Sequence, residues 1–115
     1  KKKFQDEKLP LVDEIYELIA NNIYANISVE DWEKAILNIQ GDNDAMGING
    51  YYIVSGNNLP LDVDKFDNEV EFALMELHQI TTEGDENIWN CAEFTLMPNG
   101  EFSIDLNWDS ELEVL

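Results

Sequence analysis

Arginine is missing from this chain and lysine is scarce: six lysines face 25 aspartates and glutamates, a formal net charge of −19 over 115 residues. Lys1, Lys2, Lys3 and Lys8 crowd the first eight positions. Beyond them only Lys34 and Lys65 oppose all of the acids except Asp6 and Glu7. Internal ion pairs cannot neutralise such a surplus, and self-repulsion works against the compact state. Solubility alone asks for far less, since a net charge of magnitude about 2–8 serves a small domain. The same deficit excludes direct binding to DNA or to an anionic membrane as a main activity, because both are polyanions.

Cysteine and histidine occur once each, as Cys91 and His78. A lone cysteine makes no intramolecular disulfide and fits a reducing compartment. A reactive thiol needs electropositive surroundings, so Cys91, set among acids, reads as inert and half-buried. His78 falls near the end of a helical segment, where the dipole favours a cation, and no nucleophile stands at a motif-like spacing from it. Hydrolase or transferase chemistry needs a base, a nucleophile and a group to stabilise developing negative charge. The chain offers few such groups, and no Walker-type or dinucleotide-type glycine loop or zinc-ligand spacing. Asp42-Asn43-Asp44-Ala45-Met46-Gly47 opens like a calcium loop, but Met46 takes the third ligand position and Ile53 that of the bidentate glutamate. An acidic turn is the better reading. In so acidic a chain, paired carboxylates carry no signal for glycoside hydrolysis. The expectation is a non-enzymatic protein with no metal and no cofactor.

Long apolar runs are also lacking. Nothing approaches the ~18 residues of a membrane span, and Gln5, Asp6 and Glu7 stand where a signal peptide's apolar stretch would follow Lys1–Lys3. A cytoplasmic monomer is expected. What is present is a folding composition: 44% hydrophobic residues, with three Trp, four Tyr and five Phe. Disordered acidic chains lack such residues. The length suits one domain over residues 1–115.

Leu11, Ile15, Leu18, Ile19, Asn22 and Ile23 share one side of a 3.6-residue repeat, predicting a helix from Pro10, in its first turn, to Ala25. Ser28-Val29-Glu30-Asp31 resembles a capping box and predicts a short helical turn carrying Trp32. Ala35–Ile39 fits either the end of that helix or a buried strand; the turn-forming Gly41-Asp42-Asn43-Asp44 favours strand. Tyr51, Tyr52, Ile53 and Val54, bounded by Gly47 and Gly56, predict another strand. A turn is expected at Asn57-Asn58-Leu59-Pro60. Phe66, Val70, Ala73, Leu74 and Leu77 then stripe a second helix that ends by Gly84, its acids Asp62, Asp64, Asp67, Glu69, Glu71 and Glu76 largely outside the stripe.

The C-terminal third carries the clearest pattern. Trp89–Met97 and Glu101–Trp108 flank Pro98-Asn99-Gly100, a three-residue hairpin loop with glycine where φ must be positive. If Met97 and Glu101 close that loop, Leu96–Phe102, Phe94–Ile104 and Ala92–Leu106 pair on an apolar face. The other face then pairs Thr95–Ser103, Glu93–Asp105 and Cys91–Asn107. Two like charges directly opposite destabilise a strand pair, so Glu93 and Asp105 call for a cation, which a partner could supply; the alternatives are screening by solvent and counterions or a register shifted by one. The acids Glu101, Asp105, Asp109, Glu111 and Glu113 continue the odd positions, where neighbours on one face lie about 6.6–6.8 Å apart. That is near two steps of about 3.4 Å along one nucleic-acid strand. Solvated acids on an edge strand account for any one of them equally well.

The whole chain resembles the acidic bacterial DNA-mimic proteins that bind the histone-like protein HU. That resemblance implies a monomer that occupies the DNA-binding surface of HU and competes with DNA. More locally, Trp32, Trp89 and Gly100-Glu101-Phe102-Ser103-Ile104-Asp105, with Asp109 beyond, are similar to the YezG-type immunity proteins. That similarity implies neutralisation of a nuclease-type toxin. Both place an acidic face on a basic nucleic-acid-binding surface. The expected architecture is α+β, two helices packed on a mainly antiparallel sheet of about four strands with a C-terminal β-hairpin. The expected partner-binding carboxylates are Glu93, Glu101, Asp105, Asp109, Glu111 and Glu113, joined by Asp62, Asp64, Glu69 and Glu71, each taking the place of a phosphate against lysine or arginine.

Overall fold

The computed structural model describes residues 2–41, 45–83 and 88–110, with side chains from Val12 onward. A helix α1 (Lys2–Asn26) is followed by strands β1 (Trp32–Gly41), β2 (Met46–Val54) and β3 (Asn57–Pro60). A 3₁₀ turn at Val63–Lys65 leads into helix α2 (Glu69–Thr81), and strands β4 (Cys91–Leu96) and β5 (Phe102–Asn107) complete the fold. The strands form one sheet in the order β3-β2-β1-β4-β5, with every pairing antiparallel. Both helices cover one face of it.

Periodicity decides which face. Along β1, Ala35, Leu37 and Ile39 are fully buried and register with Leu96, Phe94 and Ala92 of β4. They meet Ile15, Ile19 and Ile23 of α1 and Val70, Leu74 and Leu77 of α2 in a single core. The i, i+4 spacing in both helices is what brings these side chains into one stripe. Tyr16 of α1 extends the core under the hairpin, with its ring centroid 5.5 Å from that of Phe102, while Phe102 stacks on Phe94 at 5.3 Å.

The sheet has five strands, where about four were expected. The extra one is β3, in a segment whose composition reads as a turn. The turn is made just before it, by Ser55 (φ 50°) and Gly56 (φ 80°). Positive φ at both central residues is the type I′ geometry that suits a two-residue hairpin. Asn57–Pro60 then pair back along Val54–Tyr51, with Pro60 at an edge where a missing N–H costs no ladder bond. Trp32 is likewise extended from the start of β1, across from Val54, with its ring edge-on to Tyr24 of α1 at 5.8 Å. The expected helical turn there does not form. Helix α1 begins at Lys2, so Pro10 lies inside it and not in its first turn. The expected helix stop at Gly84 and the acidic turn at Asp42, Asn43 and Asp44 lie outside the described residues.

Buried His78 closes the join between α2 and β4. Its Nε2–H donates to the Trp89 carbonyl at 2.7 Å, and its ring meets the Trp89 indole edge-on at 4.7 Å. The indole Nε1–H in turn donates to Thr81 Oγ1 at 2.7 Å. His78 is thereby a core histidine, which satisfies a buried carbonyl that would otherwise cost about 1–3 kcal/mol.

Candidate acidic interface

The hairpin register is the one that alternation dictates. Leu96, Phe94 and Ala92 face Phe102, Ile104 and Leu106 on the helix side, and Thr95, Glu93 and Cys91 face Ser103, Asp105 and Asn107 on the open side. At the tip, the Met97 N–H donates to the Glu101 carbonyl at 2.8 Å, and Gly100 holds φ at 96°. Asn99 accepts from the Glu101 N–H at 3.0 Å and donates to its carboxylate at 2.6 Å, fixing Glu101 at the loop.

Glu93 and Asp105 are exposed and directly opposed. The row they share continues across the sheet to Asn38 of β1 and Asn49 of β2, where the Asn38 amide donates to Asn49 Oδ1 at 3.3 Å. Two carboxylates and two amides thus stand side by side at the strand spacing of about 4.8 Å. The next row holds Gln40, Cys91 and Asn107. Lys34 occupies the same face, but four residues along β1 from Asn38 is about 13 Å of strand. Lys65 sits elsewhere, 3.9 Å from Asp62. Among the described residues no cation reaches Glu93 or Asp105.

Asp109 joins this group from beyond the end of β5. Asn90 grips its backbone twice, donating to the Asp109 carbonyl at 2.8 Å and accepting from its N–H at 2.7 Å. It lines a shallow depression of about 300 Å³ with Asn38, Gln40, Asn49, Cys91 and Glu93. Burial, and then the Asp109 charge, push the Cys91 thiol above its ordinary range, and its Sγ–H donates to the Asn107 carbonyl at 3.5 Å. These are the surroundings of an unreactive thiol.

Asp62, Asp64, Glu69 and Glu71 do not converge with the hairpin acids. They lie around the 3₁₀ turn and the first turn of α2, on the helix-covered side of the sheet. The backbone of Asp62 is held by Asn26 of α1, through two hydrogen bonds of 2.8 Å. Asn22, one turn earlier, accepts from the Asp67 N–H at 2.8 Å. Glu69 and Glu71 face the N-terminal end of the α2 dipole, where negative charge is favoured. Glu111 and Glu113 lie outside the described residues. Along β5 the open face alternates acid with Ser103 and Asn107, so its carboxylates recur about every 13 Å, twice the spacing expected for neighbouring positions on one face. The close carboxylate pair is formed across strands instead.

Asn38, Asn49 and Asn90, which frame these carboxylates, were not singled out by sequence. The even-numbered polar positions of β1 gave a partial signal for Asn38. Among the described residues, no group of three or more His, Cys, Asp or Glu is placed to hold a metal ion, and no helix is long and apolar enough to cross a membrane. No protein-family model matches the chain, and no curated protein matches it.

Proposed function

We propose that this protein is a non-enzymatic DNA mimic whose open sheet face binds a basic DNA-binding protein of the histone-like HU type and displaces DNA from it. The observation that carries this reading is the opposed pair Glu93 and Asp105, which no cation among the described residues reaches, in a chain of net charge −19. Opposed like charges are an energetic cost to the free protein. A lysine or arginine from a partner removes that cost and gains charge-assisted hydrogen bonds. Glu101 and Asp109, held by Asn99 and Asn90, extend the same surface. The α2 acids face the other way and add to the long-range field that steers encounter.

The test is a competition titration in which labelled duplex DNA on HU is challenged with this protein at two salt concentrations. Release near stoichiometry, weakened by salt, is the expected result. No release at either salt removes HU as the partner. A cognate nuclease toxin, the partner in the immunity reading, is then tested by inhibition of its activity.

A further inference from the structure

We infer that the outer edge of β5 is a docking edge for an extended basic segment, which adds to the sheet as a sixth strand. The inference rests on the proposal that the partner is basic, and specifies how it is bound.

The argument begins with the backbone. In an antiparallel pair, residues alternate between those bonded to the neighbour and those whose N–H and C=O turn away. Met97 bonds Glu101, and Asn90 donates to the Asn107 carbonyl at 3.0 Å, so Ser103, Asp105 and Asn107 spend their backbone groups on β4. Phe102, Ile104 and Leu106 present theirs outward. No described strand lies beyond β5. Natural edges are usually blunted by charged side chains, lysine above all, by proline, a bulge or a covering segment. The one charge on β5, Asp105, deters another acidic edge but attracts a cationic strand. β5, Phe-Ser-Ile-Asp-Leu-Asn, has neither proline nor lysine, and its register with β4 runs without a bulge.

The side chains then select the occupant. On the helix side of the edge, Phe102 is 45% exposed, and Ile104 and Leu106 are half-buried. An added strand with apolar residues there extends the core. On the open side stand Ser103 and Asp105, with Glu101 and Asp109 at the two ends. An added strand presents alternate side chains to that face, and lysine or arginine at those positions would lie against acids. A second copy of this chain fits badly, since it would bring its own Asp105, and another −19 charges, to the same edge. The occupant is therefore a basic partner's segment in which cationic and apolar residues alternate. Main-chain hydrogen bonds supply affinity and the alternation supplies specificity.

Two isomeric peptides test this on the full chain: one alternating lysine with valine, the other with all of its lysines before its valines. The alternating peptide is expected to bind about tenfold tighter, the worth of one or two net hydrogen bonds. It should slow amide exchange at Phe102, Ile104 and Leu106. Equal affinities without that protection overturn strand addition while leaving the basic-partner reading intact. Binding of neither peptide defeats both. Ile104→Pro removes an outward N–H and should abolish the preference for alternation, whereas Ile104→Ala, which loses the same side chain but keeps the N–H, should retain it. Equal preference in the two variants overturns the proposal. Self-association of the free protein that Ile104→Pro abolishes would make the occupant a second copy and overturn the basic segment.

Discussion

At the scale of single residues, Glu93 and Asp105 separate stability from binding. Asp105→Lys turns an opposed like pair into an opposite pair, and cross-strand pairs are worth roughly 0.2–1 kcal/mol. The variant is expected to unfold at a higher urea concentration than the parent while losing its ability to release DNA from HU. A variant that gains stability and still competes normally places the docking face elsewhere. Cys91 gives a second residue-scale test, through the pH dependence of its alkylation. Burial and the Asp109 charge both raise the thiol above its ordinary value of 9.0, so the rate should rise with a midpoint above that value. Asp109→Asn removes the smaller cause. Its midpoint should move down but stay above the ordinary value, because burial remains.

Beyond the apolar core and the sheet ladder, side-chain amides tie elements together where cations are so few. Asn26 and Asn90 each pair with both the N–H and the C=O of an aspartate backbone. Carboxylate-bearing segments are thereby positioned without charge. Gly50 is where β2 packs tightest: a Cβ there would run into the Ile36 carbonyl oxygen and come within 2.9 Å of Leu61 Cδ1. Gly50→Ala should cost about 1–3 kcal/mol in thermal or urea unfolding, as overpacking does. Gly47→Ala has its nearest neighbour, the Gln40 carbonyl oxygen, 4.0 Å away, and should change stability by no more than about 0.5 kcal/mol. Elements were legible in the sequence to the degree that their signals were local. The β4–β5 register followed from two-residue alternation and a Pro-Asn-Gly loop, both contained within about twenty residues. β3 was not legible, because Asn57, Asn58 and Pro60 have turn-like composition while the turning is done by Ser55 and Gly56. Trp32 was misplaced for a similar reason: a capping signal precedes it, but its ring packs on Tyr24 and its backbone pairs with Val54. The division of the carboxylates between two sides of the sheet was illegible too, since it depends on how β1 pairs with β4.

For the whole molecule, salt is expected to act in opposite directions on folding and on binding. Screening relieves the self-repulsion of −19 charges, so the melting temperature should rise as sodium chloride is added. The affinity for a basic partner should fall over the same range. Thermal scans and competition titrations on one salt series check both signs. A melting temperature indifferent to salt would mean that the surplus charge is not a cost to the fold. The sheet order carries one further consequence, in time. Strands β1, β2 and β3 form a local meander, and β4 and β5 form a local hairpin. The seam between them joins Ala35 to Leu96 and Gln40 to Cys91, with α2 and the whole of β2 and β3 in the intervening chain. Closing so long a loop is slow, because its entropy is lost before the pairing repays it. The β1–β2–β3 meander and the β4–β5 hairpin are therefore expected to form before the β1–β4 seam, and until it closes the chain carries its acids on two separate halves. The surface built around Asn38 and Glu93 exists only once that seam has closed.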